Sequence, residues 1–184
     1  MTTLESRPNT ALLVIDMQNG VVAGLHRRDE VVANIGTLVE RARRRSVPIV
    51  WIQDSGVDMP HGSQAWERIP ELVHAEPEGV VHKLYQDSFE GTDLDQALAA
   101  AAVGHVVVTG AHTDACVRAT IHGALFRGYD VTLVGDAHTC ADLSTHGAPP
   151  PEQVIAHTNL YWRNQRAPGR IAAVADTEDV TFGG

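Results

Sequence analysis

The sequence predicts an α/β protein: a Rossmann-like three-layer sandwich in which helices cover both faces of a six-stranded, mainly parallel sheet. Two observations carry this prediction. Short apolar runs alternate along the chain with segments whose apolar residues recur at helical spacing, which is typical of βαβ units. The runs themselves are continuously apolar, as expected of strands that are buried on both faces.

Six runs are predicted as strands. The first reads Ala-Leu-Leu-Val-Ile and stops at Asp16, and the second begins after Pro48. The fourth, rich in valine, leads into the turn that holds Cys116, and the sixth is the weakest of the set. In chain order the predicted strands are residues 11–15, 49–52, 79–82, 105–109, 129–134 and 171–174.

Four segments are predicted as helices. The first opens at Asp29 and Glu30, keeps its apolar residues on one face, and closes with arginines before Pro48, which prevents its continuation. The other three are a helix capped by Thr92 and Asp93, a helix over 118–127 that stops at Gly128, and a helix from about residue 152 that follows a proline triplet.

Two stretches are predicted as loops. Residues 55–79 are rich in Pro, Gly and His, and their scattered apolar side chains favour an ordered loop that covers a site, with a short helical turn around 66–72. Residues 135–142 are read as a polar loop after the fifth strand.

Length and composition limit the classes of protein that fit. At 184 residues, with 43% hydrophobic and 20% charged residues, the chain is most simply one globular domain over residues 1–184. A net charge of -9 argues against a nucleic-acid partner, because binding phosphates requires a basic face. No apolar run approaches the roughly 20 residues of a membrane span, so no membrane partner is expected.

The N-terminus and the cysteines indicate a compartment. The first eight residues contain no apolar core of a signal peptide, so we expect a cytoplasmic protein. Only two cysteines occur, Cys116 and Cys140, and both are expected to be reduced thiols. Cys140 has no charged strand-end partner set by spacing and is interpreted as structural.

Three chemically capable residues each follow a predicted buried strand: Asp16, Lys83 and Cys116. Each has an ordinary alternative, namely a turn aspartate, a solvated lysine and a small buried hydrophobe. Because parallel strands end at the same edge of a sheet, however, all three are expected to share one cleft. That convergence favours a catalytic interpretation.

In that interpretation each residue has a role. Cys116 attacks an acyl carbon as a thiolate whose pKa is lowered by the start of a helix. Asp16 moves the proton. Lys83 holds Asp16 and lowers its pKa, or favours the thiolate by its charge. Backbone N–H groups of His112 and Cys116 form an oxyanion hole. A Cys-His mechanism through His112 or His138 is a weaker alternative, because neither histidine is placed as specifically.

Other residues are predicted to support substrate binding. Gln18 and Asp54 lie at strand ends near the expected cleft, and Trp66, Tyr85 and Phe89 are candidates to line it. For the aromatic residues, packing in the core is the stronger alternative.

The ordered set of motifs resembles the isochorismatase-like cysteine hydrolases, from Ala11 to about Trp162. The matching segments are Leu13-Val14-Ile15-Asp16-Met17-Gln18, Lys83 with Ser88-Phe89, Val107-Val108-Thr109-Gly110 into Thr113-Asp114-Ala115-Cys116-Val117, and Gly128-Tyr129-Asp130-Val131 into Asp136-Ala137. The chain lacks G-x-G-x-x-G after its first strand, the P-loop motif and G-x-S-x-G, which argues against dinucleotide, P-loop NTP and serine-elbow chemistry.

The resemblance implies several properties. It implies a six-stranded parallel sheet, an Asp-Lys-Cys triad at Asp16, Lys83 and Cys116, a cis peptide bond between Ala111 and His112, and a homodimer or higher homo-oligomer. Because the family's cis position commonly holds a small residue, His112 is expected to shape the pocket. No cofactor is implied.

The chain also departs from the nicotinamidases of this family. Their metal site begins Asp-x-His, whereas this chain reads Asp54-Ser55-Gly56, with His61 further on. We therefore predict no metal site.

The predicted function is cysteine-dependent hydrolysis of a C–N bond, in a small amide, imide, lactam or ureido compound, through an acyl-enzyme on Cys116. The alternatives are an isochorismatase-type ether hydrolase and a catalytically silent member of the fold that binds a small molecule.

Overall fold

The computed structural model describes residues 2–56 and 58–182 and is built on one sheet. The strands are β1 (Asn9–Ile15), β2 (Ile49–Asp54), β3 (Gly79–Lys83), β4 (Val103–Ala111), β5 (Asp130–Thr139) and β6 (Ala172–Ala175). They run parallel in the order β3-β2-β1-β4-β5-β6. This confirms the predicted α/β fold.

Helices cover both faces of this sheet. The longest, α2 (Arg28–Arg44), packs Ile35 and Leu38 on one face against Leu12 and Trp51. The other face is covered by α3 (Leu94–Ala100), α4 (Arg118–Arg127) and α5 (Pro151–Arg163), which bury Leu98, Ile121 and Trp162 respectively. The remaining helical elements have these bounds: α1 (Asn19–Val22), a π-helical turn (Thr113–Val117) and a 3₁₀ turn (Ser144–His146).

The strand order reverses at β1, which lies between β2 and β4. Open parallel sheets bind their ligands at such a switch point, beyond the carboxyl ends of the strands. The residues that leave β1, β3 and β4 at that edge are therefore the ones to examine for chemistry.

Two sequence predictions were wrong in their details. Residues 135–139, predicted as loop, continue β5 to Thr139. Their polar side chains are compatible with a buried strand because they find hydrogen-bond partners inside the protein. The Thr139 hydroxyl, for instance, donates to the carbonyl of His26. No helix forms at 66–72. Arg68 instead makes an antiparallel bridge to Gln18, and the stretch contains only single turns, in which the Glu67 N–H donates to the Ser63 carbonyl and the Leu72 N–H donates to the Ile69 carbonyl.

No helix among residues 2–56 and 58–182 combines the length and the apolarity needed to cross a membrane.

Candidate active site

Asp16 is the first residue beyond β1 and has a left-handed backbone, with φ 52°. Its N–H donates to the carbonyl of Ile52 at 2.9 Å, which ties the turn to the neighbouring strand β2. The side chain is 1% exposed. A carboxylate is thus held, away from water, at the switch point of the sheet.

Lys83, the last residue of β3, reaches across this edge. Its side chain is fully buried, and Nζ lies 2.8 Å from Oδ2 of Asp16 and 3.3 Å from Sγ of Cys116. Asp54, the last residue of β2, is farther away, with Oδ1 3.5 Å from Nζ. The structure therefore brings together Asp16, Lys83 and Cys116, as the convergence of strand ends predicts.

The turn that carries Cys116 begins with a close approach of β4 to β1. Gly110 has φ 117°, and a Cβ at this position would lie 2.1 Å from the carbonyl oxygen of Ile15, so only glycine fits. The Ala111–His112 peptide bond is cis. The π-helical turn follows, and the N–H groups of Ala115 and Val117 both donate to the His112 carbonyl at 3.1 Å. Cys116 therefore lies in this π-helical turn, immediately before α4.

Burial determines the protonation of Asp16, Lys83 and Cys116. Burial raises the pKa of Asp16 to about 6, although the Lys83 ammonium opposes it. Burial, reinforced by the negative charge of Asp16, raises the pKa of the Cys116 thiol to about 12. Burial is the largest single influence on Lys83 and favours its neutral amine, but the charge and hydrogen bond of Asp16 together with the charges of Cys116 and Asp54 outweigh it, so the pKa of Lys83 is raised.

Two sequence predictions about pKa were therefore wrong: the Cys116 thiol pKa is not lowered, and that of Asp16 is not either. In both cases the energetic cost of removing a charge from water exceeds the help from nearby positive charge. At neutral pH the resting site holds a thiol, an ammonium and a carboxylate.

One oxygen of Asp16, Oδ1, is buried without a hydrogen bond of good geometry to a described residue, whereas Oδ2 is paired with Lys83. The Cys116 thiol nevertheless interacts with this carboxylate and acts to lower its pKa. Buried polar atoms without partners are rare and often mark chemistry. In this arrangement an unpaired carboxylate oxygen is left beside a thiol that carries a proton.

A cleft of about 330 Å³ opens above the three residues. Of the residues predicted to bind substrate, it is lined by Asp54, Tyr85 and His112. Sequence reasoning missed Leu84 and Gln86, which belong to the loop after β3, and Met59, which is one of the scattered apolar residues of the loop predicted over residues 55–79. The cleft is lined by Asp16, Gly20, Val21, Asp54, Met59, Lys83, Leu84, Tyr85, Gln86, His112, Ala115 and Cys116.

The other three predicted binding residues lie away from the cleft. Gln18 is fully buried, and its amide accepts from the Asp54 N–H and donates to the Asp54 and Trp66 carbonyls. The Trp66 indole donates to Ser55 and its ring packs against His61. Phe89 is buried in the core, with its ring centroid 5.6 Å from that of Tyr129. These side chains organise the surrounding structure rather than the cleft wall.

The structure also shows where the two histidines considered as catalytic bases lie. The His112 ring lines the cleft, with Nε2 3.4 Å from the Val21 carbonyl. His138 is buried, and burial lowers its pKa to about 4. Both of its ring nitrogens are engaged, Nδ1 with Thr113 and Nε2 with Asn159, each at 2.9 Å. His138 therefore anchors the π-helical turn through Thr113, and among the described residues its ring makes no hydrogen bond to Asp16 or Cys116.

No group of three or more His, Cys, Asp and Glu side chains that could hold a metal ion occurs in the part of the chain that the structure describes.

Known proteins resemble this chain along most of its length. A streptothricin hydrolase from Streptomyces noursei is 36% identical over 149 residues, which cover 77% of this chain and 59% of the relative. A second streptothricin hydrolase from the same organism is covered to 50%, so the chain spans only half to three fifths of these two relatives. The ureidoacrylate amidohydrolase RutB from Enterobacter sp. (strain 638) is 26% identical over 96% of this chain and 94% of its own length.

Solved structures share the fold. An isochorismatase from Pseudomonas putida KT2440 superposes with a TM-score of 0.85 at 27% identity, covering 96% of this chain and 92% of the other. A cysteine hydrolase from Pseudomonas syringae reaches a TM-score of 0.84 at 21% identity over 97% and 94% of the two chains. The family model described as "Isochorismatase domain" matches residues 10–163. This chain belongs to the isochorismatase family of hydrolases.

Proposed function

We propose that this protein is a cysteine-dependent hydrolase that cleaves a C–N bond in a small molecule through a thioester on Cys116. One observation carries the proposal: Lys83 Nζ lies 2.8 Å from Asp16 and 3.3 Å from Cys116, at the base of a cleft. The thiol is a potential nucleophile and the carboxylate a potential base, and the same ammonium contacts both of them away from water. Such an arrangement is suited to acyl transfer.

The first half-reaction forms the acyl-enzyme. Asp16 takes the proton of the Cys116 thiol through its unpaired Oδ1, while Lys83 stabilises the developing thiolate. Sulfur attacks the carbonyl carbon, and the carbonyl electron pair moves to oxygen. As the C–N bond breaks, the leaving nitrogen takes the proton from Asp16, which leaves a thioester and a free amine or ammonia.

Backbone N–H groups of His112 and Cys116 are proposed to hold the negative oxygen of the tetrahedral intermediate. N–H groups in the first turn of a helix lack intrahelical acceptors, and this turn begins directly after His112. Each such donor typically increases the rate by a factor of about 10²–10³.

The second half-reaction regenerates the enzyme. Asp16, again a carboxylate, takes a proton from water, and the resulting hydroxide attacks the thioester carbonyl. The C–S bond breaks, the sulfur recovers the proton from Asp16, and a carboxylic acid leaves. A base whose pKa is about 6 is suited to this shuttle near neutral pH, because it both accepts and returns a proton readily.

The relatives support a C–N bond as the target. One is named for hydrolysis of streptothricin and another is named as an amidohydrolase. By analogy with them, we propose that amides, imides, lactams and ureido compounds are the classes to test first.

The test is a screen of such compounds for release of amine or ammonia, made with wild-type protein and with Cys116→Ala. Cys140→Ala is the matched control, because it removes the other thiol without touching the cleft. We expect turnover by wild type and by the control, and loss of turnover in Cys116→Ala with unchanged thermal unfolding.

Three results would overturn the proposal. A fully active Cys116→Ala variant would exclude the thioester. Cleavage of a vinyl ether, with no C–N substrate found, would identify the protein as an ether hydrolase. A thiol that is inert to alkylation, in a protein that binds small amides without cleaving them, would identify it as a catalytically silent member of the fold.

A further inference from the structure

The charges along the cleft are unbalanced. Its carboxylates and ammonium are Asp16, Asp54 and Lys83, which sum to one net negative charge when all are ionised. No arginine lines the cleft in the part of the chain that the structure describes. A substrate that enters therefore meets more negative than positive charge close to the thiol.

The single ammonium is not available to a substrate. Lys83 has a fully buried side chain and lies 2.8 Å from Asp16, with the thiol at 3.3 Å. Its charge is thus already paired inside the protein, and a carboxylate on a substrate would find no exposed positive partner.

Asp54 is different. Its side chain is 30% exposed, and its only charged partner among the described residues is Lys83, at 3.5 Å. No hydrogen bond to its carboxylate is found among those residues. Asp54 therefore presents a partly solvated negative charge that faces the cleft, a few ångströms from the reacting atoms.

The position of Asp54 is fixed by buried contacts. Gln18, which is fully buried, binds both sides of the Asp54 peptide: it accepts from the N–H at 2.8 Å and donates to the carbonyl at 2.9 Å. A charge held on a rigid backbone orients a ligand at lower entropic cost than a charge on a mobile loop.

We infer that Asp54 is the counter-ion for a positive charge on the substrate, so that the enzyme selects small amides or lactams bearing an ammonium or other cationic group and rejects those bearing a carboxylate. The inference rests on the proposed function, since it concerns the same cleft. Asp54 is thereby a specificity-determining residue.

The experiment measures access to the thiol and needs no knowledge of the natural substrate. In a Cys140→Ala background, Cys116 is the only thiol. It is treated at pH 8 with two methanethiosulfonates of similar size, one bearing trimethylammonium and the other sulfonate. Cys116 sulfur attacks the sulfenyl sulfur, methanesulfinate leaves with the electron pair, and a mixed disulfide forms. Each rate is divided by that of free 2-mercaptoethanol.

The quantity compared is the ratio of the cationic to the anionic rate. We expect a ratio above one, a fall of at least about tenfold in Asp54→Asn, and recovery in Asp54→Glu. Because a ratio is used, a general change in thiol reactivity cancels. Asp58→Asn is the matched control: it removes the same charge from an exposed residue near the cleft and should leave the ratio unchanged.

The outcomes separate the two proposals. A reactive Cys116 with the same ratio in wild type and Asp54→Asn, or with a faster anionic reagent, would overturn the inference and leave the proposed function standing. A Cys116 that reacts with neither reagent would overturn both.

Discussion

Replacing Asp16 with asparagine should change how stability depends on pH, in a direction opposite to that of an ordinary ion-paired carboxylate. Burial raises the pKa of Asp16 from 3.8 to about 6, so the folded state binds this proton more tightly than the unfolded state does. The stabilisation from that group is fully present below pH 3.8 and is lost as pH rises through 6. Asparagine keeps the shape but does not titrate.

The magnitude follows from the shift. At about 1.4 kcal/mol per pKa unit, roughly two units correspond to about 3 kcal/mol in total. About half of it, ~1.4 kcal/mol, falls between pH 5 and pH 8, where folded protein is convenient to study. The free energy of unfolding of wild type, minus that of Asp16→Asn, should therefore decrease by about 1.4 kcal/mol across this range.

Urea unfolding at pH 5, 6, 7 and 8 provides the measurement, with each free energy extrapolated to water. Cys140→Ala is the control, because burial raises the pKa of that thiol to about 11 and its difference from wild type should stay flat. If the difference between wild type and Asp16→Asn increases with pH instead, then the Lys83 ammonium outweighs burial and lowers the pKa of Asp16. That result would refute the reasoning.

Three further predictions concern the same site. The kcat/KM of hydrolysis should rise with pH through an apparent pKa near 6, as Asp16 becomes a carboxylate, and Asp16→Asn should be slower by about 10²–10⁴. Gly110→Ala should fail to fold or lose more than about 4 kcal/mol in chemical denaturation, because its Cβ would collide with the backbone of β1, whereas Gly147→Ala, with nothing within 4 Å, should lose about 1–2 kcal/mol. Thr113→Val should cost about 1–3 kcal/mol and slow alkylation of Cys116, because it leaves Nδ1 of buried His138 without a hydrogen-bond partner, and Thr113→Ser should restore both.

The apolar runs were sufficient to predict six parallel strands, because a strand buried on both faces leaves few polar positions in the sequence. They did not predict the part of a strand in which polar residues are buried and hydrogen-bonded. His138 and Thr139 read as loop, yet both lie in β5, since partners distant in sequence accept or donate their hydrogen bonds. Hydrogen bonds of this kind cannot be read from the local pattern.

The clustering of Asp16, Lys83 and Cys116 was accessible to sequence reasoning because it depends on strand ends, which topology brings together. The lining of the cleft was accessible only in part: Asp54, Tyr85 and His112 line it, as predicted, and the other predicted residues do not. Gln18 was predicted to lie at the cleft, but its side-chain amide is hydrogen-bonded to the backbone of Asp54. Met59 reaches the cleft wall from an irregular loop. The raised pKa of Asp16 and of Cys116 also could not be predicted, because burial depends on the surrounding packing.

The most direct test of the central claim is mass spectrometry of the intact protein, quenched during turnover of any substrate found in the screen. We expect a mass increase equal to the acyl portion of the substrate without its leaving amine, mapped to Cys116 and absent from Cys116→Ala. Turnover by wild-type protein with no covalent adduct at the earliest times, together with turnover by Cys116→Ala, would contradict a thioester on Cys116.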